Sequence, residues 1–131
     1  MKMQFALISA LALGASAGPA TTQQGFIQQC GRASWYELTS QTANGETANP
    51  EGLTVAHKSL PFGTVVRVEN LENGRQLRLR VNDRGPYIKG RIVDVTRAAA
   101  GRLGFQYQGT ARVRISYVDQ EATGTRRISC S

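Results

Sequence analysis

An acid, Asp83, stands in the segment Val81-Asn82-Asp83-Arg84-Gly85-Pro86-Tyr87, where an alternating stretch meets a turn. Before it, Leu77, Leu79 and Val81 share one face and Arg78 and Arg80 the other, the period of a half-buried strand. Asp83 continues the apolar face, and Gly85-Pro86 ends the strand. A carboxyl emerging from a core strand at a rim is desolvated, which raises its pKa and fits it to donate a proton. The alternative is an aspartate that only caps the turn. Two further residues could join it. Glu46 lies in Thr42-Ala43-Asn44-Gly45-Glu46, where Asn44-Gly45 favours a tight turn with positive φ that aims the glutamate out of its loop. Taken alone, Glu46 reads as an ordinary solvated carboxylate. His57, the only histidine, ends a short apolar run beside a polar loop. It is either a satisfied structural group or one that orients a carboxylate or a substrate hydroxyl.

The elements that must hold these groups follow from periodicity. Residues 32–36 read as a first short strand containing the only tryptophan, Trp35, expected in the core or on a groove wall. Residues 37–52 lack an apolar period and are rich in Thr, Asn and Gly, so a surface loop is expected, the kind of segment that carries function. Residues 53–57 form a second strand and 64–70 a third, and Asn73-Gly74 turns the chain into 76–81. A further strand covers 91–95. Thr96 caps a helix running through Leu103, with Gly104 as its stop. The last strand covers 111–118, followed by a polar tail over 119–131. Short strands with one short helix predict an all-β closed barrel, since closure removes the edges that so small a sheet would expose.

A chain of 131 residues accommodates one domain. Residues 1–17 combine Lys2, an apolar run and the small-x-small site Ala15-Ser16-Ala17, which reads as a secretory signal peptide too short to span a bilayer. No cysteine follows that run closely, so no lipid attachment is expected. Residues 18–29, polar and Gln-rich, read as a loose lead-in to a folded domain over 30–131. Export to an oxidising compartment makes one disulfide the expectation for Cys30 and Cys130, with two free thiols as the alternative. Closing a loop of about 100 residues is worth at most roughly 4–5 kcal/mol in the chain-entropy account. One histidine and two distant cysteines lack ligand spacing, so no metal and no cofactor are expected. The charge of +7 suggests an anionic partner such as a cell-wall polymer, an acidic glycan or a membrane surface, with simple solubility as the plainer reading. Nucleic acid fits poorly, because the arginines are scattered and not interleaved with stacking aromatics. A monomer without a membrane span is expected.

The blocks G-R-A-S-W-Y (31–36), T-A-N-G-E (42–46), T-V-A-H (54–57), L-P-F-G-T-V-V-R-V (60–68), N-G-R (73–75), R-V-N-D-R-G-P-Y (80–87), G-R-I-V-D-V-T (90–96) and A-A-A-G-R-L-G (98–104) occur in this order. With them the sequence resembles rare lipoprotein A, the septal lytic transglycosylase family, over about residues 30–118. The resemblance implies a six-stranded double-psi β-barrel with one or two short helices, shared with expansins and barwin-like proteins. It implies cleavage of peptidoglycan glycan strands between N-acetylmuramic acid and N-acetylglucosamine, within or from the end of a strand. The product is a 1,6-anhydromuramoyl end, made without water as nucleophile, and strands stripped of stem peptides are preferred. Family members often carry a lipid-attachment box and a wall-binding repeat domain that are not found here. Many also have a longer Gly-rich insertion after Tyr36, so a more open groove is expected in this chain.

By the motif match the resemblance implies Asp83, Glu46 and His57 as the active-site polar residues. Asp83 would act first as acid and then as base. Glu46 would stabilise developing positive charge or share the proton work, and His57 would hold Asp83 or a sugar hydroxyl. Asn44, Asn82, Arg84, Tyr87, Tyr36 and Asp94 would contact substrate. A second reading is an expansin-like binding module in which Asp94, Tyr36, Tyr87 and Tyr107 line a groove and no bond breaks. A third is a secreted glucan hydrolase using Asp83 and Asp94 as an inverting pair, which requires carboxyls about 6.5–9.5 Å apart.

Overall fold

A computed structural model describes residues 25–119 and 128–130. The expected signal peptide, 1–17, and the first part of the expected lead-in, 18–24, lie outside the described residues. The elements are β1 (Gly25–Tyr36), β2 (Thr54–His57), β3 (Val65–Asn70), β4 (Gln76–Asp83), β5 (Arg91–Thr96), α1 (Arg97–Leu103) and β6 (Thr110–Asp119). β1 starts at Gly25, so residues 25–29 are strand where a loose lead-in was expected. They pair antiparallel with β6, from Gly25 opposite Asp119 onwards. Their glutamines hid the strand, because Gln28 and Gln29 take side-chain partners in Ser116 and His57 rather than forming an apolar stripe.

The strands close in the order β1-β5-β2-β4-β3-β6. Two neighbouring pairs are parallel, β1 with β5 and β2 with β4, and the others are antiparallel. Each parallel pair carries one register shift, between Arg32 and Ala33 and between Val55 and Ala56. The second shift leaves Asn82 as the extra residue of β4 just before Asp83. This is a six-stranded double-psi barrel with one short helix.

Inward-facing side chains fill the barrel. Val66 and Val68 of β3, Leu79 and Val81 of β4, Val93 and Val95 of β5, and Val113 and Ile115 of β6 are all buried. Each contributes roughly 1.5–3 kcal/mol relative to exposure. Ala99, Ala100 and Leu103 of α1, followed by Phe105, extend the core. Trp35 packs against it half-buried and donates from Nε1 to the Gln106 carbonyl at 3.0 Å. Thr96 caps α1 by accepting the Ala99 N–H at 3.3 Å. Gly104 ends the helix at φ +81°, where a Cβ would meet Asn73 Nδ2 at 2.6 Å. Cys30 and Cys130 form a disulfide with Cα atoms 5.6 Å apart, tying β1 to the C-terminal segment. Among the described residues no helix is long and apolar enough to cross a membrane.

Candidate active site

β2 pairs with β4 on one side and β5 on the other, and that position assembles the site. Ala56 is the register partner of both Asp83 and Asp94. Asp94 in turn partners Ser34 of β1. Four neighbouring strands therefore place Asp83, Ala56, Asp94 and Ser34 in one row. At about 4.8 Å per strand, the two aspartates spring from backbones about 10 Å apart, with only the alanine methyl between them. Ser34 Oγ donates to Asp94 Oδ1. Tyr36 follows Ser34 by two residues and so shares its face of β1. Burial pushes the Tyr36 phenol above its ordinary pKa, and the nearby charges of Asp83 and then Asp94 push it further. Tyr36 thus stays a proton-bearing donor beside both carboxylates.

Asp83 Oδ1 accepts the N–H of Arg84 at 2.9 Å and the N–H of Ala43 at 3.0 Å. The first bond caps the turn. The second ties the carboxyl to the T-A-N-G-E loop. Among the described residues Oδ2 has no partner, so one oxygen is anchored and the other remains available. The loop is folded back on itself: Thr42 N–H donates to the Glu46 carbonyl at 2.8 Å, and Gly45 at the tip has φ +91°. Its Asn44 N–H reaches the Asn82 carbonyl at 3.2 Å.

Glu46 turns towards β4 rather than out of the loop. Arg80 Nη1 and Nη2 donate to its two oxygens at 2.5 and 2.9 Å. Asn44 Nδ2 adds a bond at 2.8 Å and Asn82 Nδ2 one at 3.3 Å. These donors, Arg80 foremost and then Asn44 and Asn82, hold the Glu46 carboxyl down to about 2. Held by these donors, the carboxylate is tied to Arg80, Asn44 and Asn82.

His57 is buried, and its ring is fully engaged. Nδ1 accepts the N–H groups of Ser59 and Leu60, each at 3.1 Å. That leaves Nε2 as the protonated nitrogen, 3.2 Å from Gln29 Oε1. Burial, then the charges of Arg84 and Lys58, lower its pKa. His57 braces the corner after β2, and among the described residues it forms no hydrogen bond to Asp83. Arg84 serves the same corner. Its Nη1 donates to the carbonyls of Leu60 at 2.8 Å and His57 at 3.3 Å, and its guanidinium stacks 4.0 Å from the centre of the Phe62 ring.

The expected substrate contacts therefore divide. Tyr36 and Asp94 join Asp83. Tyr87 stands 76% exposed on the turn that follows. Asn44 is spent within its loop, where Oδ1 accepts from Thr42 Oγ1 at 2.7 Å and from the Glu46 N–H at 3.0 Å. Asn82 is buried against Glu46, although its Oδ1 has no partner. Tyr107 is fully exposed beyond α1. Sequence reading missed Ser34, Arg80 and Gln29. Ser34 was discoverable as the i−2 neighbour of Tyr36, whereas Arg80 looked like part of the solvated face of β4.

The lytic transglycolase family profile matches residues 28–115. The endolytic peptidoglycan transglycosylase RlpA of Pseudomonas aeruginosa is 49% identical over 92 residues, which are 68% of this chain and 27% of that protein. The probable endolytic peptidoglycan transglycosylase RlpA of Nostoc sp. is 55% identical over 92 residues, 70% of this chain and 24% of that protein. The RlpA of Neisseria meningitidis is 47% identical over 93 residues, 69% of this chain and 39% of that protein. The chain thus spans well under half the length of these curated relatives. Among solved structures, the Streptomyces papain inhibitor aligns with a TM-score of 0.60 at 21% identity, over 71% of this chain and 96% of that one. The apo Clavibacter michiganensis expansin aligns at 0.58 and 22% identity, over 75% of this chain and 53% of that one. These two structures speak for the fold alone. Because the matched segment runs from β1 to β6 and includes every residue of the Ser34–Asp94–Ala56–Asp83 row, the chain belongs to the lytic transglycolase family.

Proposed function

We propose that this domain is a peptidoglycan lytic transglycosylase acting outside the cytoplasm. It cleaves glycan strands between N-acetylmuramic acid and N-acetylglucosamine and leaves a 1,6-anhydro end. The observation that carries the reading is the state of Asp83: one oxygen is fixed by the Ala43 and Arg84 amides, the other is free, and Asp94 and Tyr36 stand alongside. Family membership and the printed names of the relatives support the choice of polymer.

Asp83 Oδ2 gives its proton to the glycosidic oxygen as the bond to C1 breaks, and the electron pair leaves with the N-acetylglucosamine portion. Asp94, oriented by Ser34, lies where it can offset the positive charge that builds on the sugar. The Asp83 carboxylate then accepts the proton of the C6 hydroxyl as that oxygen bonds C1. The proton count closes without water. Glu46 contributes by holding the loop whose Ala43 amide fixes Asp83, and His57 by bracing β2. The expected export signal over residues 1–17 and the Cys30–Cys130 disulfide support an extracytoplasmic site of action. A closed barrel without a free sheet edge supports a monomer.

The test is mass spectrometry of stem-free glycan strands after digestion. Products one water lighter than hydrolysed ones are expected from the native protein. Asp83→Asn should lower their release by about a hundredfold or more, with thermal unfolding unchanged. Anhydro products at the native rate from Asp83→Asn would end the assignment. Hydrated products would point instead to hydrolysis, and binding without any product to an expansin-like module.

A further inference from the structure

On the β3–β4 ladder Arg67 lies directly opposite Arg78. Both are exposed, and among the described residues neither forms a hydrogen bond or an ion pair. Like charges in that position destabilise a sheet. The same strand shows that neutralisation is available, because Arg80, two residues beyond Arg78, is fully matched by Glu46. The nearest acid along this face, Glu69, is occupied by Arg114 at 2.9 Å and Gln76 at 3.2 Å.

The arginine pair is one end of a polar row. Arg67 partners Ser116 of β6, and Ser116 partners Gln28 of β1, whose Nε2 donates to Ser116 Oγ at 3.2 Å. Beside this row run Val65, Val118 and Phe26, exposed by 54, 42 and 48%. Together they line an open groove of about 540 Å³ on the outer wall of β4, β3, β6 and β1. No residue of the Asp83–Asp94 row lines it. A fork of guanidinium donors next to an apolar strip matches a sugar polymer that carries carboxylates, since sugars present both apolar faces and hydroxyls. The chain's charge of +7 favours the same anionic class.

We propose that this outer wall is a second, non-catalytic binding surface for a carboxylate-bearing glycan strand, with Arg67 and Arg78 gripping one carboxylate between them. An anion there offsets the repulsion that the empty pair imposes. The identity of the strand as peptidoglycan, whose muramic lactyl groups supply carboxylates once stem peptides are gone, rests on the proposed function. The surface lets the domain hold a strand at one place while its rim works at another.

The test uses the whole chain carrying Asp83→Asn, so that strands are bound without being cut. Its affinity for stem-free glycan strands is compared with that of the same chain carrying Arg67→Gln and Arg78→Gln. The double change should weaken binding by about tenfold and flatten its salt dependence, while affinity for uncharged N-acetylglucosamine hexasaccharide stays the same. In the Asp83 background of the native protein, the double variant should cleave short oligosaccharides at the native rate. It should also unfold at a temperature no lower than the native protein, since a like-charge contact has been removed. Unchanged strand affinity would overturn the proposal, as would equal weakening for the uncharged hexasaccharide. Binding of the arginine pair to anionic phospholipid vesicles but not to strands would overturn it too. Failure of the lytic reading looks different: strands would be held through Arg67 and Arg78, yet the native protein would release no anhydro product.

Discussion

Glu46 and Asp83 are carboxylates joined by one loop, and their partners give them opposite surroundings. Glu46 faces a bidentate guanidinium, whereas Asp83 faces two backbone amides and open space. Removing the guanidinium with Arg80→Gln should return the Glu46 carboxyl from about 2 towards 4.5, read by carbon NMR of its side-chain carboxyl across a pH titration. In the native protein the Glu46 contribution to stability is present above pH 4.5 and disappears as the pH falls through about 2. Arg80→Lys should bring the Glu46 carboxyl only part of the way back down, because a lysine offers no planar fork to two oxygens. His57 makes the converse test. Its folded pKa lies below 6.5, so an unfolded chain takes up a proton that the fold refuses. Stability is therefore full above pH 6.5 and falls as the pH drops below that value. His57→Asn, whose side-chain oxygen can still accept the Ser59 amide, should reduce the decline in melting temperature as the pH falls below 6.5.

Thr96 works for two elements at once. Its hydroxyl accepts the Ala99 N–H at the start of α1 and donates to the Gly52 carbonyl at 2.6 Å, pinning the end of the long loop that carries Glu46. Thr96→Ala should cost about 1–2 kcal/mol in urea unfolding, through a lost cap and an unsatisfied carbonyl. This helix and its cap were legible in sequence, as was the β3–β4 hairpin: Asn73-Gly74 between two alternating runs leaves little choice, and Gly74 indeed has φ +77°. Local periodicity sufficed there because the hydrogen-bond partners are close in sequence. It failed for residues 25–29, whose strand exists only through pairing with a distant β6. It also failed to bring Ser34 to the two aspartates, which sequence paired only in the reading of a glucan hydrolase. That row depends on a parallel pairing of β2 with β4 and on the extra residue Asn82, neither of which leaves a local signature. The role of His57 was open in sequence for the same reason, since Gln29 becomes its neighbour only after the barrel closes.

At the scale of the whole molecule, the barrel closes both its sheet and its chain. β1 is paired along nearly its full length by β6 and β5, and Cys130 returns to Cys30 across a sequence separation of 100. The crosslink restricts the unfolded chain far more than the folded one, where hydrogen bonds already fix β1. Cys30 lies four residues before Ser34, and its Sγ lies 4.0 Å from the Ser129 carbonyl oxygen. Stability and chemistry should therefore separate. Replacing both cysteines by serine should lower the free energy of unfolding by about 2–4 kcal/mol in urea, below the chain-entropy ceiling because strain and residual structure reduce the gain. The slope of the transition should steepen, since an uncrosslinked unfolded chain exposes more surface. Release of anhydro products at a temperature where the variant remains folded should match that of the native protein. A loss of activity greater than the loss of folded fraction would mean that the disulfide also shapes the rim, and that β1 transmits strain from Cys30 to Ser34.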